Sequence, residues 1–220
     1  RSLVGSEMCI RDRDDKGEEK MGKAANSSIS LKQIHVTDNF WNKYVHLVKD
    51  VIIPYQWDIL NDKLEDVETS HCIENFKIAA GEKEGEFQGA VFQDTDVAKW
   101  LEAVGFVLNY ERDEKLEELA DETIELIGRA QQPDGYLNTY FTIKEPDGRW
   151  SNLMEGHELY TAGHMIEAAV AYYEATGKRR FLEIVSKFAD LVCQTFGPEE
   201  GKIHGYPGHQ EIELALVKLY

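Results

Sequence analysis

The sequence predicts a mainly α-helical fold built as an α/α toroid, a ring of paired helices. Three observations predict it: a repeated helical module, an alternation of short and long connections, and a constant offset between the copies. Residues 95–116 and 164–182 each show an amphipathic helix, a short turn and the start of a second helix, and residues 209–220 begin a third copy. Because a single helical hairpin cannot bury its apolar face alone, such modules need stacked neighbours.

The connections between these helices alternate in length. Tight turns lie at residues 110–113 and around Gly177, and long Gly/Pro-rich loops span residues 133–154 and 197–208. Corresponding positions, such as Gly135 and Gly201, are 66 residues apart. Short turns at one end and long loops at the other favour a closed toroid, whose long loops are where functional residues tend to lie. The alternative is an open α-solenoid, which favours more uniform loops.

The first predicted elements are a strand and a helix. Residues 29–36 alternate apolar and polar side chains, a pattern that predicts a short N-terminal β segment. Asp38 is placed to cap a helix that begins at Asn39. Pro54 is expected to end this helix, because proline has no amide hydrogen and clashes with the preceding turn.

Six further helices follow from the apolar periodicity and the cap residues. Their predicted spans are 71–80, 95–110, 114–132, 155–176, 179–196 and 209–220. Asp94 or Thr95 is expected to cap the second of these helices and Asp113 the third. Gly177 is expected to end the fourth in the left-handed conformation.

The first 20 residues differ in character from the rest. Residues 1–13, RSLVGSEMCIRDR, resemble a translated sequencing adaptor, and the charged residues that follow show no periodicity. We therefore expect residues 1–20 to be a non-native, disordered leader and Met21 to be the native start. Residues 21–220 are expected to be the N-terminal part of one larger helical domain, because the last predicted helix is apolar and uncapped at Tyr220.

Composition excludes several classes of partner. The formal net charge of -17 argues against nucleic acid and anionic membranes, which attract Lys and Arg. No apolar run approaches the ~18 residues of a membrane span. The cysteines Cys9, Cys72 and Cys193 are isolated, which predicts neither a disulfide framework nor a local zinc site. No secretory signal is seen, so we expect a cytoplasmic location, and homo-oligomerisation of the full-length protein stays open.

Polar side chains gather where the long loops enter the helices. Asp94, His157 and His209 lie at three such positions, and in a toroid these helix starts converge at one end. Imidazole and carboxylate groups suit sugar hydroxyls, which need directional donors and acceptors, and helix N-termini add backbone donors. Each residue also has a purely structural interpretation. His157 can be a core histidine with bonded nitrogens, His209 a residue beside a helix cap, and Asp94 the cap itself.

Other conspicuous residues have simpler interpretations. Glu102, Glu167 and Glu213 recur in the repeats and are expected to bind loop backbone amides. Trp150 lies in a loop and is the tryptophan most free to act as a platform for a sugar ring. The sequence contains no nucleotide-binding loop, HExxH or GxSxG motif, and no pair of residues declares itself as nucleophile and base. We therefore assign no catalytic residue and no metal ligand.

Several long segments carry a family resemblance. From about residue 36 to the end, the chain resembles the N-terminal part of glycoside hydrolase family 127, the β-L-arabinofuranosidases. The segments that carry it are VIIPYQWDILND (51–62), FKIAAGE (76–82), GAVFQDTDVAKWLE (89–102), RAQQPDGYLNT (129–139), GHELYTAGHMIEAAVAYYEATG (156–177) and FGPEEGKIHGYPGHQEIELALVKLY (196–220).

The resemblance implies both a fold and a chemistry. The fold is an (α/α)6 barrel, of which about the first half is present, followed in whole members by β-sandwich domains. The chemistry is that of a retaining glycosidase in which a zinc-bound cysteine thiolate attacks the anomeric carbon and a glutamate acts as acid and base. These groups lie further along the family's chain than Tyr220, and Cys72 and Cys193 do not match them.

The resemblance also implies roles for this chain's own residues. His157 and His209 match positions that contact the sugar, and Asp94 lies in a matching loop on the cavity side. The first hypothesis is therefore an N-terminal fragment of a zinc-dependent enzyme that releases L-arabinofuranose from plant glycans. The fragment itself is expected to bind no zinc and to be inactive. The second hypothesis is a non-catalytic helical carbohydrate-binding or scaffold module.

Overall fold

The computed structural model describes residues 29–220, and these residues are mainly helical. The helices are α1 (Asn39–Leu47), α2 (Ile53–Leu60), α3 (Cys72–Ala79), α4 (Asp94–Tyr110), α5 (Glu114–Ala130), α6 (Thr139–Ile143), α7 (Glu158–Thr176), α8 (Arg180–Thr195) and α9 (Glu211–Leu219). Short 3-10 turns lie at Leu31–Gln33 and Pro146–Gly148. The predicted leader, residues 1–20, and the predicted start at Met21 lie outside the described residues.

The helices form two rows, as expected for part of an α/α barrel. One row consists of α2, α4, α7 and α9, each packed on the next, and the other consists of α3, α5 and α8. Helices α4 and α7 are parallel neighbours that touch at Gly105 and Ala171. Helices α7 and α9 are parallel too and touch at Gly163 and Glu211. The chain therefore alternates between the rows, and the mainly α-helical α/α prediction is confirmed.

A continuous apolar core lies between the two rows. Its largest fully buried side chains include Phe76, Trp100, Tyr172, Phe181 and Phe188. The indole Nε1 of Trp100 donates to the carbonyl of Ile53 at 3.1 Å, which ties α4 to the start of α2. Burial of large aromatic surfaces supplies most of the energy that holds such a helical pair in place.

The predicted caps and turns are largely confirmed. Asp38 accepts a hydrogen bond from the amide of Trp41, and Asp113 accepts from the amides of Lys115 and Leu116. Gly177 ends α7 at φ +75°. The two long loops also repeat their geometry, because Gly135 and Gly201 have φ values of +92° and +87°. The 66-residue offset in the sequence thus corresponds to a structural repeat.

The predicted β segment is wrong. Residues 29–36 contain the 3-10 turn Leu31–Gln33 and are almost entirely exposed, and no strand forms anywhere in residues 29–220. The nearest approach to strand pairing in that range is a single bridge between Phe196 and Ile203. Alternation alone cannot make a strand, since a strand needs a partner for its backbone hydrogen bonds.

The prediction that Pro54 ends the first helix is also wrong. After α1, residues Val48–Ile52 form one wider π-helical turn, and α2 continues from Ile53 with Pro54 in its first turn. A proline is tolerated at such a helix start because the amide hydrogen it lacks would have no partner there. The wide turn restarts the hydrogen-bonding pattern and allows the helix to pass the proline.

Trp150 is packed into the structure and is not free to act as a platform. Its ring contacts those of Tyr136 at 5.3 Å and Phe196 at 5.2 Å between centroids, in edge-to-face geometry. In contrast, Trp41 on α1 is 61% exposed. Within residues 29–220, no helix has both the length and the apolar character needed to cross a membrane.

Candidate functional site

The N-terminal ends of α4, α7 and α9 meet at one end of their row. There the ring centroids of His157 and His209 lie 5.4 Å apart, and the ring of Phe92, just before α4, lies 5.1 Å from that of His157. The ring of Tyr160, one turn into α7, lies beside both imidazoles. The structure therefore brings together two of the three predicted sugar-contacting residues, on two different helices.

His157 has a fixed backbone and a fixed ring. It precedes α7 in the left-handed conformation, at φ +53°, which is uncommon outside glycine. Its Nδ1 lies 2.7 Å from the carbonyl oxygen of Glu155. A carbonyl can only accept, so Nδ1 must carry the proton, and the Nε2 of the neutral ring is then an acceptor. His157 is half-buried and stands at the loop–helix junction, so it is not a core histidine.

His209 is held more loosely than His157. It is exposed and lies two residues before α9, with Gln210 between it and the helix. Its imidazole ring rests against those of His157 and Tyr160. His209 is thus positioned by ring contacts at the helix start, and Gln210 occupies the cap position.

Asp94 lies at the start of α4 but does not join the imidazole pair. Its side chain is 2% exposed, and both carboxylate oxygens accept hydrogen bonds from Thr139, one from the backbone amide at 2.7 Å and one from the hydroxyl. Burial raises the pKa of Asp94 to about 6. Gln93 occupies the cap position, so neither Asp94 nor Thr95 caps the helix. Asp94 holds the start of α6 against α4, and its sugar contact stays a prediction.

Glu158 fixes the long loop between α5 and α7. Its carboxylate is 1% exposed and accepts hydrogen bonds from the Tyr136 hydroxyl and from the Trp150 amide at 2.7 Å. The Arg149 guanidinium stacks on the Tyr136 ring at 3.9 Å. Burial raises the pKa of Glu158 to about 7. Glu158 thus binds a loop amide, the role that the sequence had predicted for Glu102, Glu167 and Glu213.

A second polar cluster joins α7 and α9 below the imidazole pair. His164 Nδ1 lies 3.4 Å from Glu211 Oε1, and Lys218 donates to Glu167. Glu167 therefore binds a side chain on α9, where a loop amide had been expected. The sequence carried one signal of this cluster, since His164 and Glu167 are three residues apart on one face of a helix.

The charges within this cluster compensate one another. Burial raises the pKa of Glu211 to about 7, helped by its hydrogen bond to Glu167. Glu167 is also buried, but its bonds to Glu211 and Lys218 lower its pKa. Burial lowers the pKa of His164 to about 4, so this ring is neutral near pH 7. Burial and the neighbouring carboxylates thus favour the protonated form of Glu211, and the Lys218 ammonium offsets the charge of Glu167.

The residues described here do not fit a zinc site built from cysteine. Within residues 29–220, one group of three potential ligands was found, His164, Glu167 and Glu211, whose ligand atoms all lie within 4.8 Å of one another. The ammonium group of Lys218 already pairs with Glu167 there. The Cys72 thiol donates to the carbonyl of Gln93, and burial raises its pKa well above the usual range. Among the residues that the structure describes, no cysteine belongs to a group of three potential ligands.

Comparison with known proteins agrees with the arrangement described so far. Residues 33–220 match the model of the β-L-arabinofuranosidase GH127 catalytic domain. The chain belongs to the GH127 family. A curated relative, the non-reducing end β-L-arabinofuranosidase of Bifidobacterium longum subsp. longum, is 46% identical over 203 residues, which cover 85% of this chain and 31% of that protein.

Solved structures of GH127 proteins share the fold. A GH127 β-L-arabinofuranosidase from Geobacillus stearothermophilus T6 aligns with a TM-score of 0.84 at 65% identity, covering 84% of this chain and 29% of that one. A second GH127 β-arabinofuranosidase aligns with a TM-score of 0.80 at 38% identity, covering 87% of this chain and 31% of that one. The chain thus spans about a third of the length of these GH127 relatives, and the family resemblance found in its sequence is confirmed.

Proposed function

We propose that this chain is the N-terminal part of a glycoside hydrolase that releases L-arabinofuranose from β-L-arabinofuranosides of plant glycans. The GH127 membership supports the reaction class, because the GH127 relatives named above are β-L-arabinofuranosidases. The pairing of His157 with His209 at 5.4 Å is the single structural observation that carries the sugar-binding role. On this proposal the partner is an L-arabinofuranosyl oligosaccharide, and neither nucleic acid nor a membrane takes part.

The chemistry of the helix starts suits a furanose ring. Because His157 Nδ1 is bound to the Glu155 carbonyl, its Nε2 is available to accept a hydrogen bond from a sugar hydroxyl. His209 offers a second imidazole within the span of one sugar, and the N-termini of α7 and α9 add positive dipole ends that favour oxygen atoms. Asp94 remains a proposed contact: each of its oxygens can accept a further hydrogen bond, but the side chain is 2% exposed and would have to become accessible to the sugar.

The reacting groups are proposed to lie outside this chain. Zinc dependence and a retaining mechanism are expected of the complete enzyme from its family resemblance. Residues 29–220 do not supply the cysteine donors for that metal, so we propose that this chain contributes sugar-binding residues only and is inactive alone. A cytoplasmic location of the complete protein stays a prediction, as does its oligomeric state.

Kinetics of the complete enzyme test the sugar-binding role. In His157→Ala and His209→Ala we expect kcat/KM for a β-L-arabinofuranoside to fall about 10- to 100-fold, as is typical when a hydrogen bond to the reacting substrate is lost. His46→Ala is the matched control, since His46 is exposed on α1 and pairs with Asp50 at 3.8 Å. Unchanged kcat/KM in both site variants would refute the role of the imidazole pair.

A separate measurement tests the activity itself. Incubation of the complete protein with β- and α-linked L-arabinofuranosides should release L-arabinose from the β anomer. If the complete protein releases no sugar while this chain binds L-arabinose in a titration, the non-catalytic carbohydrate-binding module is the correct hypothesis. Release by this chain alone would contradict the proposal that it is inactive.

A further inference from the structure

We propose that Tyr160 is a positioning residue that sets the separation and orientation of the His157 and His209 imidazoles. This inference rests on the proposed sugar-binding role of the two histidines and adds a third residue to it. Tyr160 lies three residues after His157, in the first turn of α7. Its ring therefore stands beside His157, the residue that precedes the helix.

The three rings form a closed set of contacts. The Tyr160 centroid lies 4.9 Å from that of His209, with the ring planes at 40°. It lies 5.7 Å from that of His157, with the planes at 81°. Because the two imidazoles also touch each other, each ring contacts the other two. Aromatic contacts in this distance range are favourable and depend on orientation, so they restrict where each ring can stand.

The Tyr160 ring is itself held from a neighbouring helix. Lys99 on α4 donates from Nζ to the Tyr160 hydroxyl at 3.1 Å and to the Thr95 hydroxyl at 3.3 Å. On α7, the His164 ring meets the Tyr160 ring edge to face at 4.5 Å. Tyr160 therefore joins α4, α7 and α9 at the end where the proposed sugar site lies.

The two histidines depend on Tyr160 to different degrees. His157 has its own anchor, the hydrogen bond from Nδ1 to the Glu155 carbonyl. His209 is exposed, and the ring contacts that the structure gives it within residues 29–220 are those with His157 and Tyr160. Loss of the Tyr160 ring would leave His209 with one ring contact, that with His157, and with more rotamer freedom. Sugar binding would then have to restrict the His209 side chain, at a cost in binding free energy.

Variants of the complete enzyme separate positioning from simple packing. We expect Tyr160→Leu to raise KM for a β-L-arabinofuranoside about tenfold with a smaller change in kcat, since misplacing a binding group weakens productive binding. Tyr160→Phe keeps the ring and loses only the hydroxyl, so its KM should stay within about threefold of the wild-type value. Tyr173→Leu, a partly exposed tyrosine on α7, is the matched control and should leave KM unchanged.

The outcomes distinguish this inference from the proposed function. If His157→Ala and His209→Ala raise KM but Tyr160→Leu leaves it at the wild-type value, Tyr160 has no positioning role and the sugar site stands. If neither histidine variant changes kcat/KM, the sugar site itself is refuted. A raised KM in Tyr160→Phe equal to that of Tyr160→Leu would assign the effect to the hydroxyl and overturn the ring-contact argument.

A measurement on the unmodified chain covers the case in which Tyr160→Leu does not fold. The carbon-bound ring protons of His209 should show ring-current shifts in the NMR spectrum because of the nearby Tyr160 ring. Tyr160→Phe should preserve those shifts. Resonances of His209 at unfolded-peptide positions in the folded protein would show that the two rings do not meet, and would overturn the proposal.

Discussion

Individual side chains at the helix starts fall into two groups, imidazoles near the surface and buried carboxylates, and burial separates the two. His157 and His209 keep ring atoms near the surface, whereas Asp94 and Glu158 are almost wholly buried and accept hydrogen bonds from the protein itself. The sequence placed His157, His209 and Asp94 at similar positions, where loops enter helices. Only the partners of each side chain distinguish a residue that can bind a ligand from one that stabilises a loop.

Asp94 offers a test of this division through pH. Its folded-state pKa, about 6, lies above its ordinary value of 3.8 because of burial. Its stabilising contribution is therefore complete below about pH 3.8 and is lost as the pH rises through about 6. Between pH 4 and pH 8 the unfolding free energy of the wild type should fall by roughly 2–3 kcal/mol because of Asp94. In Asp94→Asn this part of the fall should be absent, because the amide does not ionise.

Urea unfolding at a series of pH values measures this difference. Asp190→Asn, at an exposed position of α8, is the matched control. Parallel pH profiles for the wild type and Asp94→Asn would show that Asp94 ionises in the folded protein as easily as in the unfolded chain, contrary to the expectation.

Helices α4, α7 and α9 approach each other closely because glycine lies at their contacts. A Cβ at Gly105 on α4 would stand 2.9 Å from the backbone carbon of Ala171 on α7. Neither backbone can move without separating the two helices. Tight parallel packing of α4 on α7, and of α7 on α9, in turn brings the N-terminal residues of these helices together. The glycine contact and the histidine pair are thus parts of one arrangement.

Gly105→Ala is expected to destabilise the protein despite the better helix propensity of alanine. Overpacking costs about 1–3 kcal/mol, whereas the propensity gain is about 1 kcal/mol, so the net effect is a loss of up to about 2 kcal/mol. Gly128→Ala on α5 is the matched control, because its new Cβ would meet the side-chain ends of Arg180 and Ile184, which can move. Equal midpoints of thermal unfolding for the two variants would contradict this packing argument.

For the molecule as a whole, the alternation of the chain between two rows places the starts of α4, α7 and α9 together at one end of one row. The row of α2, α4, α7 and α9 gathers the binding residues at one end. The GH127 relatives are about three times as long as this chain, so most of their length lies outside the part that is matched. Binding and bond cleavage are therefore expected to be divided between this part and the remainder of the complete enzyme.

Metal analysis of this chain tests that division. We expect well under one zinc per chain after incubation with excess zinc and gel filtration, because the Lys218 ammonium already pairs with Glu167, which is one of the three potential ligands in the group. The complete enzyme, treated in the same way, is the control and should retain zinc. One tightly bound zinc per chain that is lost in Glu211→Gln would instead show a metal site between α7 and α9.

Local sequence pattern was sufficient for much of the fold. Apolar periodicity with cap residues located the long helices to within about three residues, and the 66-residue repeat predicted their pairing into two rows. These features follow from contacts between residues close in the chain, which a single sequence displays directly. The same reasoning failed at two places. Residues 29–36 have no neighbouring strand to pair with, and Pro54 is preceded by a π-helical turn that lets the helix continue.

The partners of the polar side chains followed only from the packing of distant helices. Nothing near Asp94 in the sequence indicates Thr139, and nothing near Tyr160 indicates Lys99 or His209, because each pair is joined across helices more than 40 residues apart. Trp150 was misjudged for the same reason, since its neighbour Phe196 lies beyond α8, far from it in the sequence. Periodicity records which face of a helix is buried, but the identity of the groups that meet there is set by how the helices pack.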